Sequence, residues 1–119
     1  MRQQAQDRRG YCRQIRSDPM TPTIASFLEA IQQGPLLCDG AMGTLLHGYG
    51  LSLEHCLDET NLSQPGLVLR AHSEYLAAGA DVIETNTFGA NRIKLEEYDL
   101  AARAGDINSA GARLARQAV

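Results

Sequence analysis

The sequence predicts an α/β fold built on parallel strands. Two short apolar runs, Leu36-Leu37-Cys38 and Asp81-Val82-Ile83, each break into polar and small residues at their C-terminal end. The first runs into Asp39-Gly40-Ala41-Met42-Gly43-Thr44 and the second into Glu84-Thr85-Asn86-Thr87-Phe88-Gly89. A helical pattern separates them, so the order is strand, loop, helix, strand, which calls for a right-handed crossover and parallel pairing. Ligands of such folds bind beyond the carboxyl ends of the strands. The two polar tips are therefore expected side by side at one functional rim.

The elements follow in chain order. Residues 1–20 are polar, irregular and rich in Gln and Arg. They bury too little surface to offset ordering entropy and read as a disordered extension. The alternative is a mis-assigned one, with Met20 as the true start. Residues 21–119 form the ordered part. Thr21 caps a first helix, Pro22 suits its first position, and Ile24, Phe27, Leu28 and Ile31 recur at i, i+3, i+4 and i+7. Gly34 stops this helix and Pro35 introduces the first strand, 36–39. Four glycines, at 40, 43, 48 and 50, then permit close backbone approach to a ligand, or simply a long turn. Neither a Gly-Lys-Ser/Thr phosphate loop nor a dinucleotide fingerprint is present, since Leu53 stands where the latter needs glycine.

Ser63-Gln64-Pro65 opens the next helix, whose inward stripe is Val68, Ala71, His72, Tyr75 and Leu76 and whose end is Gly79. The second strand covers 81–87. A short helical stretch spans Asn91 to Tyr98, and a last helix, capped by Asp106, places Ile107, Ala110, Leu114 and Ala118 on one face.

Composition narrows the class. Of 119 residues 44% are hydrophobic and 21% charged, with a net charge of −3. Residues 1–19 carry five arginines against two aspartates, and the rest six bases against twelve acids. An acidic body argues against nucleic-acid partners, which need a basic stripe. No apolar run approaches the roughly 18 residues of a membrane span, and no signal-peptide core follows the N-terminal arginines. The three cysteines, Cys12, Cys38 and Cys56, form no C-x-x-C pair, which fits a reducing, cytoplasmic setting.

Asp39 is the sharpest single residue. A carboxylate directly after an apolar strand can receive a substrate amine, although Asp-Gly also starts turns. Alternation sends Glu84 and Asn86 to one face of the second strand and Thr85 and Thr87 to the other. Asp39 with Glu84 also admits a paired-carboxylate hydrolase. His72 reads as a satisfied core residue, while His47 and His55-Cys56 match no zinc spacing. Lys94, the only lysine, sits on a helix and gives no Schiff-base site.

Three segments go beyond this local reading: Asp39-Gly40-Ala41-Met42-Gly43-Thr44, Asn61-Leu62-Ser63-Gln64-Pro65, and the run from Ala78 through Asn91. Together, over residues 24–119, the chain resembles the homocysteine S-methyltransferase family. It is similar in particular to the N-terminal homocysteine-binding domain of its cobalamin-dependent members and of the bifunctional members joined to a methylenetetrahydrofolate reductase. The resemblance implies a (β/α)8 TIM barrel, of which residues 21–119 would supply a helix and the first two strand–helix units. It implies methyl transfer to a zinc-activated homocysteine thiolate, giving methionine, with cobalamin or folate as methyl donor. The zinc thiolates of the family, including a Gly-Cys-Cys motif, have no counterpart in this chain, so neither Cys38 nor Cys56 inherits that role. Asp39 and Gly40 resemble the family's substrate-binding Asp-Gly, and Thr85, Asn86 and Thr87 its second-strand lining. The expected partners are homocysteine and the remainder of the barrel. The chain by itself is expected to be inactive, and a stand-alone ligand- or partner-binding module from a truncated gene is the alternative.

Overall fold

The structure, a computed structural model, describes residues 24–119. The extension expected over residues 1–20 and the Thr21-Pro22 cap lie outside the described residues. The chain divides into one unit ending at Leu36 and a second spanning Leu37–Val119. In the first, α1 (Ile24–Gln33) forms where the apolar spacing requires, and Phe27, Leu28 and Ile31 remain exposed.

The second unit is built from helices. They are α2 (Met42–Gly48), α3 (Thr60–Ser63), α4 (Pro65–Ala78), α5 (Arg92–Glu96), a 3-10 turn (Ala101–Arg103) and α6 (Ala104–Ala118). Pro65 opens α4, as a residue without an amide proton can at a first turn. Val68, Ala71 and His72 of α4 are buried. Gly79 ends the helix in the left-handed region at φ 108°, donating to the Leu76 carbonyl while Ala80 N–H reaches back to Tyr75. A side chain at Gly79 would be strained by that backbone conformation. The Asn91 side chain caps α5 by accepting the Lys94 N–H at 3.0 Å. Asp106 lies within the first turn of α6 rather than at its cap, where its charge still suits the helix dipole.

α6 packs on α3 and α4, and α4 also holds α2. One core gathers Leu46, Leu51, Val68, Ala71 and Leu114, and a second gathers Cys56, Ala90, Leu95 and Ile107. Outside the core, Tyr49 Oη donates to Glu74 at 2.7 Å and Arg70 Nε to the same carboxylate at 2.8 Å. These two hydrogen bonds hold the Glu74 carboxyl below its ordinary range.

Two expectations are corrected. The glycine-rich segment after residue 40 is largely helix. Met42, Leu45, Leu46 and Tyr49 recur at i, i+3, i+4 and i+7; Leu46 lies in the first core and the other three pack against it half-buried, so the packing of that stripe outweighs the glycines' preference for a loop. The (β/α)8 barrel and its parallel strands are not found: among the described residues there is no strand and no sheet. The runs at 36–39 and 81–87 meet only in an isolated parallel bridge between Cys38 and Val82. Val82 N–H donates to Leu37 O at 3.1 Å and Asp39 N–H to Val82 O at 2.9 Å.

The physical reason is visible at both ends of the bridge. A continuing parallel ladder would send the Glu84 N–H to the Asp39 carbonyl, but the Asp39 carboxylate takes that proton donor instead, at 3.1 and 3.2 Å. At the other end the Leu37 N–H goes to the Asp81 carboxylate at 2.9 Å. Side chains thus occupy donors that a ladder would use, and one pair without further neighbours gains too little to extend. Accordingly Leu37 is 60% exposed and Cys38 is exposed rather than buried in a strand.

Candidate functional site

The same bond that ends the ladder builds a corner. Through Asp39 and the Glu84 N–H, the segment Cys38-Asp39-Gly40 is joined to the tip 84–87. Behind the corner stands α4. A Cβ on Gly40 would come within 3.2 Å of the Tyr75 hydroxyl and 3.4 Å of its ring, so only glycine sits there without displacing the tyrosine. Cys38 Sγ donates to Asp39 Oδ1 at 3.4 Å. Desolvation, that hydrogen bond and the nearby charges of Asp39 and Glu84 all push the Cys38 thiol up from its ordinary value. It therefore stays protonated at neutral pH and is neither a ready nucleophile nor a ready metal ligand.

The tip residues divide by burial. Thr85 is exposed and Thr87 half-buried, and their hydroxyls lie 2.7 Å apart. Asn86 is buried: its Nδ2 donates to Leu57 O at 2.8 Å and to Asn61 Oδ1 at 3.2 Å. Asp39 thus meets the start of the tip at the Glu84 N–H, with Thr85 and Thr87 following along the chain, whereas the Asn86 side chain is engaged with Leu57 and Asn61. The paired-carboxylate hydrolase gains no support, because Asp39 engages Glu84 through its backbone N–H.

Two residues that the sequence reading did not single out hold this tip. Asn61 is buried and donates to Asn86 O at 2.7 Å. Asp58 accepts the Gly89 N–H at 3.0 Å. Burial pushes the Asp58 carboxyl up, against the lowering effect of that bond. The signal for Asn61 was its place in the Asn61-Leu62-Ser63-Gln64-Pro65 motif, directly before α4.

His72 departs from the satisfied core histidine expected. It is fully buried, and neither ring nitrogen has a hydrogen-bond partner among the described residues. Burial lowers its pKa from the ordinary value, with the Asp39 charge opposing. A base whose folded pKa is depressed contributes full stability above its unfolded pKa of about 6.5 and loses it as pH falls below that. His72→Leu is therefore expected to flatten the decline in stability just below about pH 6.5, read by urea unfolding at a series of pH values. An unchanged pH profile would show that His72 does not drive it.

Of the other histidines, His47 Nδ1 pairs with Leu51 O at 2.9 Å, and His55 Nε2 lies 3.3 Å from a Glu59 oxygen without forming a hydrogen bond. Among the described residues no group of three or more His, Cys, Asp or Glu could hold a metal ion. These side chains do not fit a zinc site. No helix among the described residues is long and apolar enough to cross a membrane.

Comparison with known proteins agrees with the motif reading. The homocysteine S-methyltransferase family model matches residues 36–119. The chain is 38% identical over 96 residues to the methionine synthase of Mycobacterium tuberculosis (strain ATCC 25618 / H37Rv), covering 76% of this chain and 8% of that protein. The methionine synthase of Mycobacterium leprae (strain TN) is 38% identical over 96 residues with the same coverage. The chain thus spans about 8% of the length of these relatives. The matched region contains the Asp39–Gly40 corner, the Asn61 motif and the 84–87 tip, and the chain belongs to the homocysteine S-methyltransferase family.

Proposed function

We propose that this segment supplies the amino-acid-binding side of a homocysteine S-methyltransferase that transfers a methyl group to the homocysteine sulfur, giving methionine. The observation that carries the reading is the corner itself, where the Asp39 carboxylate holds the Glu84 N–H at 3.1 and 3.2 Å. Each carboxylate oxygen has more than one acceptor site, so Asp39 can keep that bond and also receive the ammonium group of an amino acid. The exposed Gly40 leaves the backbone open to close approach, and the hydroxyls of Thr85 and Thr87 can each donate or accept. Asn86 contributes by holding the backbone between the two threonines.

The work of these residues is positioning. A free thiol with a pKa of about 8.5 is only a few per cent ionised at neutral pH, so its activation requires a group besides this corner. What the corner contributes is orientation of the amino-acid end, which sets where the sulfur lies relative to a methyl donor. Zinc at the sulfur, and cobalamin or folate as donor, belong to the proposed whole protein and are assigned to no described residue. A cytoplasmic setting belongs to the same reading, supported by Cys38 and Cys56 as free thiols.

The test is a calorimetric titration of the full-length protein carrying this segment with L-homocysteine and with 4-mercaptobutanoate, which lacks only the amino group. Loss of the ammonium contact is expected to weaken binding about tenfold or more. Equal affinity for the two compounds would refute the assignment of the corner to the amino-acid end.

A further inference from the structure

Asn61, the first residue of its motif, connects the tip to a second part of the fold as well. Asn61 is 2% exposed, and its single amide group engages two separate parts of the fold. Nδ2 donates to Asn86 O at 2.7 Å and to Ile107 O of α6 at 3.3 Å, while Oδ1 accepts from Asn86 Nδ2 at 3.2 Å. Both the backbone carbonyl and the side chain of Asn86 are therefore held by one residue 25 positions earlier. Asn86 lies between Thr85 and Thr87, so holding its carbonyl and side chain restrains the backbone that carries both hydroxyls.

α6 closes this arrangement from behind. A Cβ on Gly111 would meet Asn61 Nδ2 at 2.8 Å and Thr87 Cγ2 at 2.6 Å, so the helix backbone, the Asn61 amide and the Thr87 side chain are in close packing. An amide in this position has little freedom to rotate, and a buried amide that loses its partners carries the full desolvation cost.

We propose that Asn61 is a positioning residue of the candidate site: it fixes the Thr85–Thr87 tip through paired bonds to Asn86 while anchoring that tip to α6. This rests on the reading of the corner as the homocysteine amino-acid site. Asn61 does not touch the substrate and acts through the two threonines. Its loss lets the tip drift, so the amino acid meets misaligned hydroxyls even where the protein remains folded.

The experiment uses the full-length protein carrying this segment, with Asn61→Ala, Thr85→Val and the double variant, and reads homocysteine affinity by calorimetry beside thermal unfolding. Asn61→Ala is expected to weaken binding roughly ten- to a hundredfold. Thr85→Val added to it is expected to weaken binding far less than in the wild-type background, because the hydroxyl is already misplaced. A purely structural role would lower the unfolding midpoint yet leave the two binding effects additive. Additive effects, or unchanged affinity in Asn61→Ala, would overturn the proposal. If Asn61→Ala does not fold, Asn61→Asp keeps the volume and removes the amide donor, and it should show the same coupling with Thr85→Val. Failure of both variants to fold would also overturn the proposal, by making Asn61 a requirement of the fold as a whole. Asp39→Asn separates the two ideas. If it weakens homocysteine binding while the Asn61 variants do not, only the positioning role fails; if it has no effect, the reading of the corner fails.

Discussion

Replacing Asp39 with asparagine is expected to raise the homocysteine dissociation constant roughly ten- to a hundredfold. A hydrogen bond to a charged group contributes about 1.5–3 kcal/mol, and each 1.4 kcal/mol or so is a factor of ten. Asparagine nearly preserves the shape of the residue, and its oxygen can still accept the Glu84 N–H that joins the two segments. What it removes is the negative charge proposed to receive the substrate ammonium. The choice of ligand sharpens the measurement. Affinity for 4-mercaptobutanoate, which has no ammonium, should change little in the variant, so the discrimination between the two compounds should largely disappear. Calorimetry of wild type and Asp39→Asn against both ligands gives four constants, and an unchanged homocysteine constant would refute the role of Asp39.

Gly111→Ala is expected to destabilise the protein although alanine is the better helix former. On an open helix surface this substitution stabilises by about 1 kcal/mol. At Gly111 the new methyl would lie 2.6 Å from Thr87 Cγ2 and 2.8 Å from Asn61 Nδ2. Neither is the end of a long flexible side chain: Thr87 is β-branched, and the Asn61 amide is fixed by its bonds to Asn86 and Ile107. Overpacking of this kind costs about 1–3 kcal/mol, and displacing the amide adds the cost of a buried donor left unpaired. Gly105 of the same helix provides the control, since nothing lies within 4 Å of a Cβ there. Gly105→Ala should be neutral or stabilising. Urea unfolding of the two variants decides the matter, and a gain at Gly111 equal to that at Gly105 would contradict the close packing of α6 on the tip.

Much of the helical part was legible from local pattern. The stripe of α4, its proline start and glycine end, the Asn91 cap of α5 and the buried face of α6 all depend on residues within a few positions of one another. Helix α2 was equally legible in principle, because Met42, Leu45, Leu46 and Tyr49 carry the spacing. Gly40, Gly43, Gly48 and Gly50 give the same segment the local signature of a loop, which masks that stripe. The strands fared differently. An apolar run ending in a polar tip looks the same whether its donors are met by a neighbouring strand or by side chains.

By itself the sequence determined α1, α4, α5 and α6, whose hydrogen bonds close within one turn, and the family, whose motifs are written in order along the chain. Only the tertiary structure decided what became of the apolar runs and of the polar tips. The donors of Leu37 and Glu84 were taken by carboxylates 44 and 45 positions away, which left a single bridge in place of a sheet. Asn86 was turned inward by Asn61 and Leu57, while Thr85 stayed exposed and Thr87 half-buried. The physical reason is the same in each case. A buried or paired polar group is governed by the partner that folding brings to it, and no local period records a partner tens of residues distant.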